Sequence, residues 1–323
     1  MRNLLLFPLL LINLFCACKK DTIRLQVNYC VVPTANRLNT IHFISPTIGY
    51  AAGGIQFSEP TLVKTIDGGI SWQSIDLPKN GEQKEIYGLD ADKYGRIITC
   101  GYGGTIFLSN DSASTFSYHQ HSSWKELRDV SIRSADSACM VGGIDFDSGH
   151  ISDVRCDGSG NFQFYRQFNF ELRDVDFIDS LDGYIAGYGA ILVTHDGGQN
   201  WDFTSAKNDF FVSMCWKNSQ EGIAVGYEGS IIKTEDGGQH WKTVRNGNAI
   251  TTKKIHLLAV ERNTNTNLIA VGEKGIALFS KDDGNSWAEI QSFTHQHLRS
   301  VYFRDSEHAF ICGDNGHIFC VAD

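Results

Sequence analysis

One eight-residue turn motif recurs in register along this chain, and that recurrence restricts the fold more than any other feature. It reads Thr65-Ile66-Asp67-Gly68-Gly69-Ile70-Ser71-Trp72, then Thr194-His195-Asp196-Gly197-Gly198-Gln199-Asn200-Trp201. It returns as Thr234-Glu235-Asp236-Gly237-Gly238-Gln239-His240-Trp241 and as Ser280-Lys281-Asp282-Asp283-Gly284-Asn285-Ser286-Trp287. Two eroded copies keep the frame: Ser109-Asn110-Asp111 leading to Phe116, and Asp157-Gly158 leading to Phe162. Successive closing aromatics fall 39 to 46 residues apart, a period that signals a ring or array of similar units. In such an Asp box the carboxylate and the Ser or Thr hydroxyl accept backbone N–H groups across the turn. The glycines supply positive φ, and the Trp packs into the unit. Asp67, Asp196, Asp236 and Asp282 are therefore expected to be structural.

A second marker counts the units. A small apolar residue runs into glycine at Ala52-Gly53, Cys100-Gly101, Val141-Gly142, Ala186-Gly187, Val225-Gly226, Val271-Gly272 and Cys312-Gly313, seven times in all. A short apolar strand precedes each and another follows, with no helical period after the first residues. The expected fold is all-β, a seven-bladed β-propeller of four-stranded blades. Only six Asp-box positions fit, so the last blade lacks its fourth strand, and Thr22–Val27 is the natural replacement. The ring then closes by the N-terminal strand pairing in the last blade, which removes an exposed edge. Antiparallel pairing on this reading puts Cys320 nearer Leu25 than Cys30, too far for a bridge.

The start of the chain is separable. Arg2, an apolar run from Leu4 to Phe15 and small residues after it describe a secretory signal. Phe15-Cys16-Ala17-Cys18 resembles a bacterial lipobox, with Phe where Leu is usual. The domains expected are a lipoprotein signal peptide over 1–17, a lipid anchor and tether over 18–21, and the propeller over 22–323. Lipidation at Cys18 would fix the protein to the cell envelope, at the outer membrane; cleavage at Ala17 without lipidation would leave it periplasmic or secreted. The net charge of −9 comes without a basic stripe, so nucleic acid is not an expected partner. The seven cysteines after Cys18 lack C-x-x-C spacing, and buried small side chains explain them better than a metal or redox site.

Candidate functional residues lie where each inner strand begins. The second position of that strand reads Asn39, Tyr87, Arg128, Arg173, Val212, Leu258 and Arg299 around the ring. Arginine's planar fork suits carboxylate or phosphate partners; the alternative is internal pairing of Arg128 and Arg173 with Asp129, Asp174 or Asp176. The pairs His119/His121 and His295/His297 each lie between units, far from one another, and read as exposed loop histidines; no metal or other cofactor is expected. Phe162, Phe164, Tyr165, Phe168 and Phe170 read as core.

The Asp boxes, the Leu-Arg-Asp-Val strands at 127–130 and 172–175, and the Ala-Gly-Tyr-Gly hairpin at 186–189 together resemble the photosystem II stability/assembly factor family of Asp-box propellers. The resemblance covers nearly all of 22–323. It implies a non-enzymatic assembly factor that binds a protein client, with Arg128, Arg173 and Arg299 as the positions that would inherit a client-binding role. The expected partner is an unidentified protein, an envelope or membrane complex among the candidates. Two rivals are a carbohydrate-binding surface propeller and a glycosidase of sialidase-like architecture. The latter would draw two carboxylates from Asp129, Asp174 and Asp176, but its Arg-Ile-Pro segment is absent and seven markers disagree with its six blades.

Overall fold

The computed structural model describes residues 22–79, 84–157, 159 and 161–323. The signal, the tether and Cys18 lie outside these residues. Strand dominates the described residues, at 53% against 3% helix, in keeping with the two-residue alternation that replaces any helical stripe.

Strands in chain order form consecutive antiparallel meanders. The first comprises Arg37–Phe43, Gly49–Ile55, Glu59–Thr65 and Gln73–Ser74, and the second Ile86–Ala91, Ile97–Gly101, Thr105–Ser109 and Ser117–Gln120. The third runs Leu127–Ile132, Ser137–Ile144, Ser148–Arg155 and Phe162–Phe168. A six-stranded sheet follows, because the 15-residue strand Asp202–Trp216 pairs with Ala190–Val193 through its first part and with Gly222–Gly226 through its second. The next sheet starts at Leu257–Arg262 and the last at Leu298–Phe303.

Neighbouring sheets stack through their faces. Ile98 and Ile106 of the second sheet, for example, share a buried cluster with Val130 and Met140 of the third. The first and last sheets meet in the same way: Leu38, Ile41 and Phe43 pack with Phe310, Cys312 and Ile318. Polar groups clasp adjacent inner strands as well. Val175 donates its backbone N–H to Asp129 Oδ2 at 3.0 Å, Met214 donates to Asp174 Oδ2 at 2.7 Å, and Ile132 donates to Asp90 Oδ2 at 2.6 Å.

The N-terminal segment closes the last sheet, by a register different from the one expected. Gln26–Cys30 pairs antiparallel with Ile318–Ala322, so Asn28 lies opposite Cys320 and Cys30 opposite Ile318. The expectation that Cys320 lies nearer Leu25 is corrected: pairing begins four residues later than Thr22, and both cysteines are free thiols. Thr22–Ile23 does not join that sheet. It pairs in parallel with Glu289–Ile290 of the preceding one, so the segment stitches two sheets together.

The Asp boxes at Thr65, Ser109, Thr194, Thr234 and Ser280 sit where a strand ends and dock on the preceding hairpin of the same sheet, as in Gly68 N–H to Thr47 O at 2.9 Å. Thr65 Oγ1 donates to Asp67 Oδ1 at 2.8 Å and accepts from Gly69 N–H at 2.8 Å, while Asp67 accepts from the Ser71 N–H and hydroxyl at 2.9 and 2.6 Å. The turns at Thr194, Thr234 and Ser280 repeat this bonding. The Ser109 copy is not eroded in bonding. Ser109 and Asp111 make the same set, with Ala113 at φ +66° standing where the others use glycine. Asp157 does depart: it binds Arg155 and the Ser159 N–H instead. Trp72 is buried, and Trp201, Trp241 and Trp287 are half-buried.

Candidate functional site

Every inner strand carries a register shift between its first and third residues: Leu38/Thr40, Ile86/Gly88, Leu127/Asp129, Leu172/Asp174, Phe211/Ser213, Leu257/Ala259 and Leu298/Ser300. The residue skipped is the second position in each case. A β-bulge of this kind leaves one residue out of the ladder and re-aims its side chain. The paired glycine makes the bulge possible: a Cβ on Gly142 would lie 2.0 Å from the Glu126 carbonyl oxygen, and one on Gly313 would lie 2.1 Å from that of His297. All seven second-position residues line one axial cavity of about 580 Å³.

Arg128, Arg173 and Arg299 are thus brought to one bowl, and Arg37 joins them. Their partners are not Asp129, Asp174 or Asp176, which corrects that alternative. Arg128 Nε lies 3.2 Å from Glu171 Oε1, and its Nη2 contacts Glu126. Arg173 Nε lies 3.0 Å from the same Glu171 oxygen, yet off the angle of a hydrogen bond. Arg299 Nε donates to Asp314 Oδ1 at 2.6 Å, and Arg37 Nη2 donates to Glu85 Oε2 at 2.7 Å. Glu171 is 1% exposed and serves two arginines at once. Burial pulls Arg173 down to about 10, with Arg128 adding to the shift, and pushes Glu126 and Glu85 up. The guanidinium of Arg128 lies over the Tyr87 ring at 5.0 Å, and that of Arg173 over Phe210 at 5.0 Å, a geometry in which ring quadrupoles favour the cation.

Below the bowl, six of the seven third-position residues, Asp129 and Asp174 among them, line both this cavity and a second one of about 680 Å³ toward the Asp-box end. Burial raises the Asp129 carboxyl to about 7, Asp176 to about 6 and Glu261 to about 8. Asp174 is raised by burial and by the neighbouring Asp129, and Asp90 is raised by burial against His42, which faces it. The Asp-box carboxylates move the other way: hydrogen bonds lower Asp67, Asp111 and Asp196 to about 2.

These opposite shifts set a pH profile. A carboxyl raised in the fold contributes stability that is complete below its unfolded value near 4 and is lost as pH climbs through about 6 to 8. A lowered carboxyl contributes stability that is present above about 4 and lost as pH falls toward 2. The melting temperature should therefore peak near pH 4 and fall on both sides. Asp176→Asn should raise it at pH 8, by about 2 °C per ~1 kcal/mol for a domain of this size, and leave it unchanged at pH 4. Thermal unfolding monitored by circular dichroism at both pH values checks this, and an equal effect at the two would contradict it.

Of the two histidine pairs, His295 and His297 lie in the loop before Leu298–Phe303, with His295 exposed, whereas His119 and His121 are not exposed. His121 is buried, its Nδ1 2.7 Å from Ser123 Oγ and its Nε2 3.0 Å from Ser152 Oγ, and His119 Nε2 lies 2.9 Å from Ser117 Oγ. Of the aromatic run, Phe162, Phe168 and Phe170 pack half-buried against two core clusters. Among the described residues no cluster of three or more His, Cys, Asp or Glu has the form of a metal site.

Comparison with known proteins fits this geometry. A family model described as Sortilin-Vps10 (Sortilin, neurotensin receptor 3) matches residues 189–323. No curated protein matches the chain. Among solved structures, YCF48 bound to D1 peptide superimposes with a TM-score of 0.72 at 16% identity, covering 94% of this chain and 98% of that one. YCF48 from Cyanidioschyzon merolae gives 0.69 at 14% identity over 92% and 98%, and the WD40 β-propeller domain of Doa1 gives 0.69 at 9% over 92% and 98%. The fold is a β-propeller.

Proposed function

We propose that the protein is a non-catalytic, seven-bladed propeller that binds a protein client at its arginine bowl and is held to the bacterial cell envelope by lipidation at Cys18. The blade count reads the six-stranded sheet as two blades fused through Asp202–Trp216, since that sheet alone holds two bulged inner strands. The observation that carries the binding role is the convergence of four arginines and the rings of Tyr87 and Phe210 on one open cavity of about 580 Å³. Two of those guanidiniums are stacked on rings, and the neighbouring acids engage the four arginines through Nε and Nη2, so Nη1 donors remain for an acidic segment of a client. That a similar propeller, YCF48, was solved with a D1 peptide supports a peptide as the kind of ligand. Against the glycosidase reading, Asp129 and Asp174 each accept the backbone N–H of a neighbouring inner strand, at Val175 and Met214, as structural carboxylates do.

The test is crosslinking from intact envelopes followed by purification. Reversing charge at Arg128 or Arg173 would place a second carboxylate beside buried Glu171 and damage the fold, so Arg173→Gln is combined with Arg299→Glu. The double variant, folded by circular dichroism, should recover at least tenfold less crosslinked client. Undiminished recovery would remove the bowl from the binding role.

A further inference from the structure

Resting on that reading, we propose that Phe146, with Tyr188 and Phe210, forms an aromatic pocket on the rim of the bowl. It selects a client segment in which an aromatic side chain stands two residues from a carboxylate. The first observation is backbone conformation. The hairpins between the second and third strands turn through two left-handed residues at Gly103-Gly104, Lys274-Gly275 and Asn315-Gly316, with glycine always second. In the third sheet, where the second strand runs two residues further to Ile144, the left-handed pair is Asp145 at φ +58° and Phe146 at φ +64°, with no glycine. A bulky residue is disfavoured there, and strain of this kind persists where surrounding structure holds it and clusters at functional sites. The second observation is that holding contact: Phe146 N–H donates to Glu171 Oε2 at 3.2 Å, and Glu171 N–H donates to the Phe146 carbonyl at 3.3 Å. The carboxylate that organises Arg128 and Arg173 also fixes Phe146.

The third observation is exposure. Phe146 and Tyr188 remain 52% and 51% exposed, although their rings meet at 5.7 Å and each meets Phe210 edge-on, at 5.3 and 5.5 Å. Folding has gathered the rings without covering them. Arg173 lies over the same Phe210 ring at 5.0 Å, so cationic and aromatic surfaces adjoin within a side-chain length. In an extended peptide residues i and i+2 face one way, roughly 6–7 Å apart, which matches a carboxylate on Arg173 and a ring against Phe146. Charge complementarity at that joint selects an acidic polypeptide over a neutral glycan.

The experiment uses the full chain and a fluorescein-labelled, C-terminally amidated peptide Gly-Ser-Asp-Ser-Phe-Ser-Gly, with its Phe→Ala and Asp→Asn counterparts. A fourth peptide keeps the Phe but replaces Asp by a free C-terminal carboxylate two residues beyond it, which separates side-chain from terminal recognition. Binding is read by fluorescence anisotropy. Phe146→Gly, which suits the left-handed backbone, should weaken the Asp-Ser-Phe peptide at least tenfold, leave the Phe→Ala peptide unchanged, and keep or raise the melting temperature. Unchanged affinity for the Asp-Ser-Phe peptide, or a lowered melting temperature, overturns the proposal. If Arg173→Gln abolishes all binding while Phe146→Gly does nothing, the bowl stands and the pocket falls. If Phe146→Gly acts and Arg173→Gln does not, the pocket stands and the arginine role falls. Failure of every peptide to bind the wild-type chain overturns both. Self-association in sedimentation, lost in Phe146→Gly, would assign the rim to a second copy and overturn the client reading.

Discussion

A chain lacking residues 22–30 should lose on the order of 5 kcal/mol, much of the stability of an ordinary domain, and unfold without one cooperative transition. Those residues serve two sheets at once, through the five-residue pairing of Gln26–Cys30 with Ile318–Ala322 and the parallel contact of Thr22–Ile23 with Glu289–Ile290. Their loss strips the outer neighbour from Ile318–Ala322 and leaves a row of unpaired backbone groups ready to aggregate. It also removes Leu25 and Cys30, which are buried in two different core clusters; deleting a single core leucine side chain alone costs about 2–5 kcal/mol. Thermal unfolding and limited proteolysis of the truncated chain test this. An unchanged, cooperative melt would show that the ring does not depend on its closure.

Glu171→Ala is the single substitution expected to cost most, about 3–5 kcal/mol. Removing the carboxylate leaves the half-buried guanidiniums of Arg128 and Arg173 facing each other, and Arg128 already depresses Arg173. It also frees the left-handed turn at Phe146, which loses its acceptor. Adding Arg173→Gln should recover part of the loss, because the second cation then no longer needs a partner; a double-mutant cycle in chemical denaturation measures this coupling. Strict additivity of the two changes would contradict the shared-carboxylate account.

The architecture was legible in the sequence where a residue's role is set by backbone sterics. Six of the seven glycines after a small apolar residue report a carbonyl so close that no Cβ fits, as at Gly142 against Glu126, and the seventh, Gly226, is crowded by the Asp209 carboxylate. The closing strand was legible from the missing last Asp box, but its register was not, because Gln26–Cys30 has only Cys30 fully buried to choose a face. At the bowl, the three arginines were legible as a recurring second position; the β-bulge that aims them was not, since nothing in Leu-Arg-Asp-Val itself encodes an extra residue. Their acidic partners did leave a signal. Glu126-Leu127-Arg128-Asp129 and Glu171-Leu172-Arg173-Asp174 carry the acid one residue before the strand, and Glu85-Ile86 repeats it. Attention to the carboxylates after the arginines, which clasp neighbouring strands instead, hid the ones before.

Binding of a client at the bowl, rather than at the Asp-box end, is the central claim, and a photoreactive phenylalanine derivative placed at Leu258 tests it most directly. Leu258 lines the bowl, whereas Ile66, exposed on an Asp-box turn, serves as the control position. Irradiation of intact envelopes should yield one discrete crosslinked protein from position 258, diminished at least tenfold by Arg173→Gln with Arg299→Glu, and none from position 66. A crosslink from position 66 with none from 258 would put the contact surface on the opposite face.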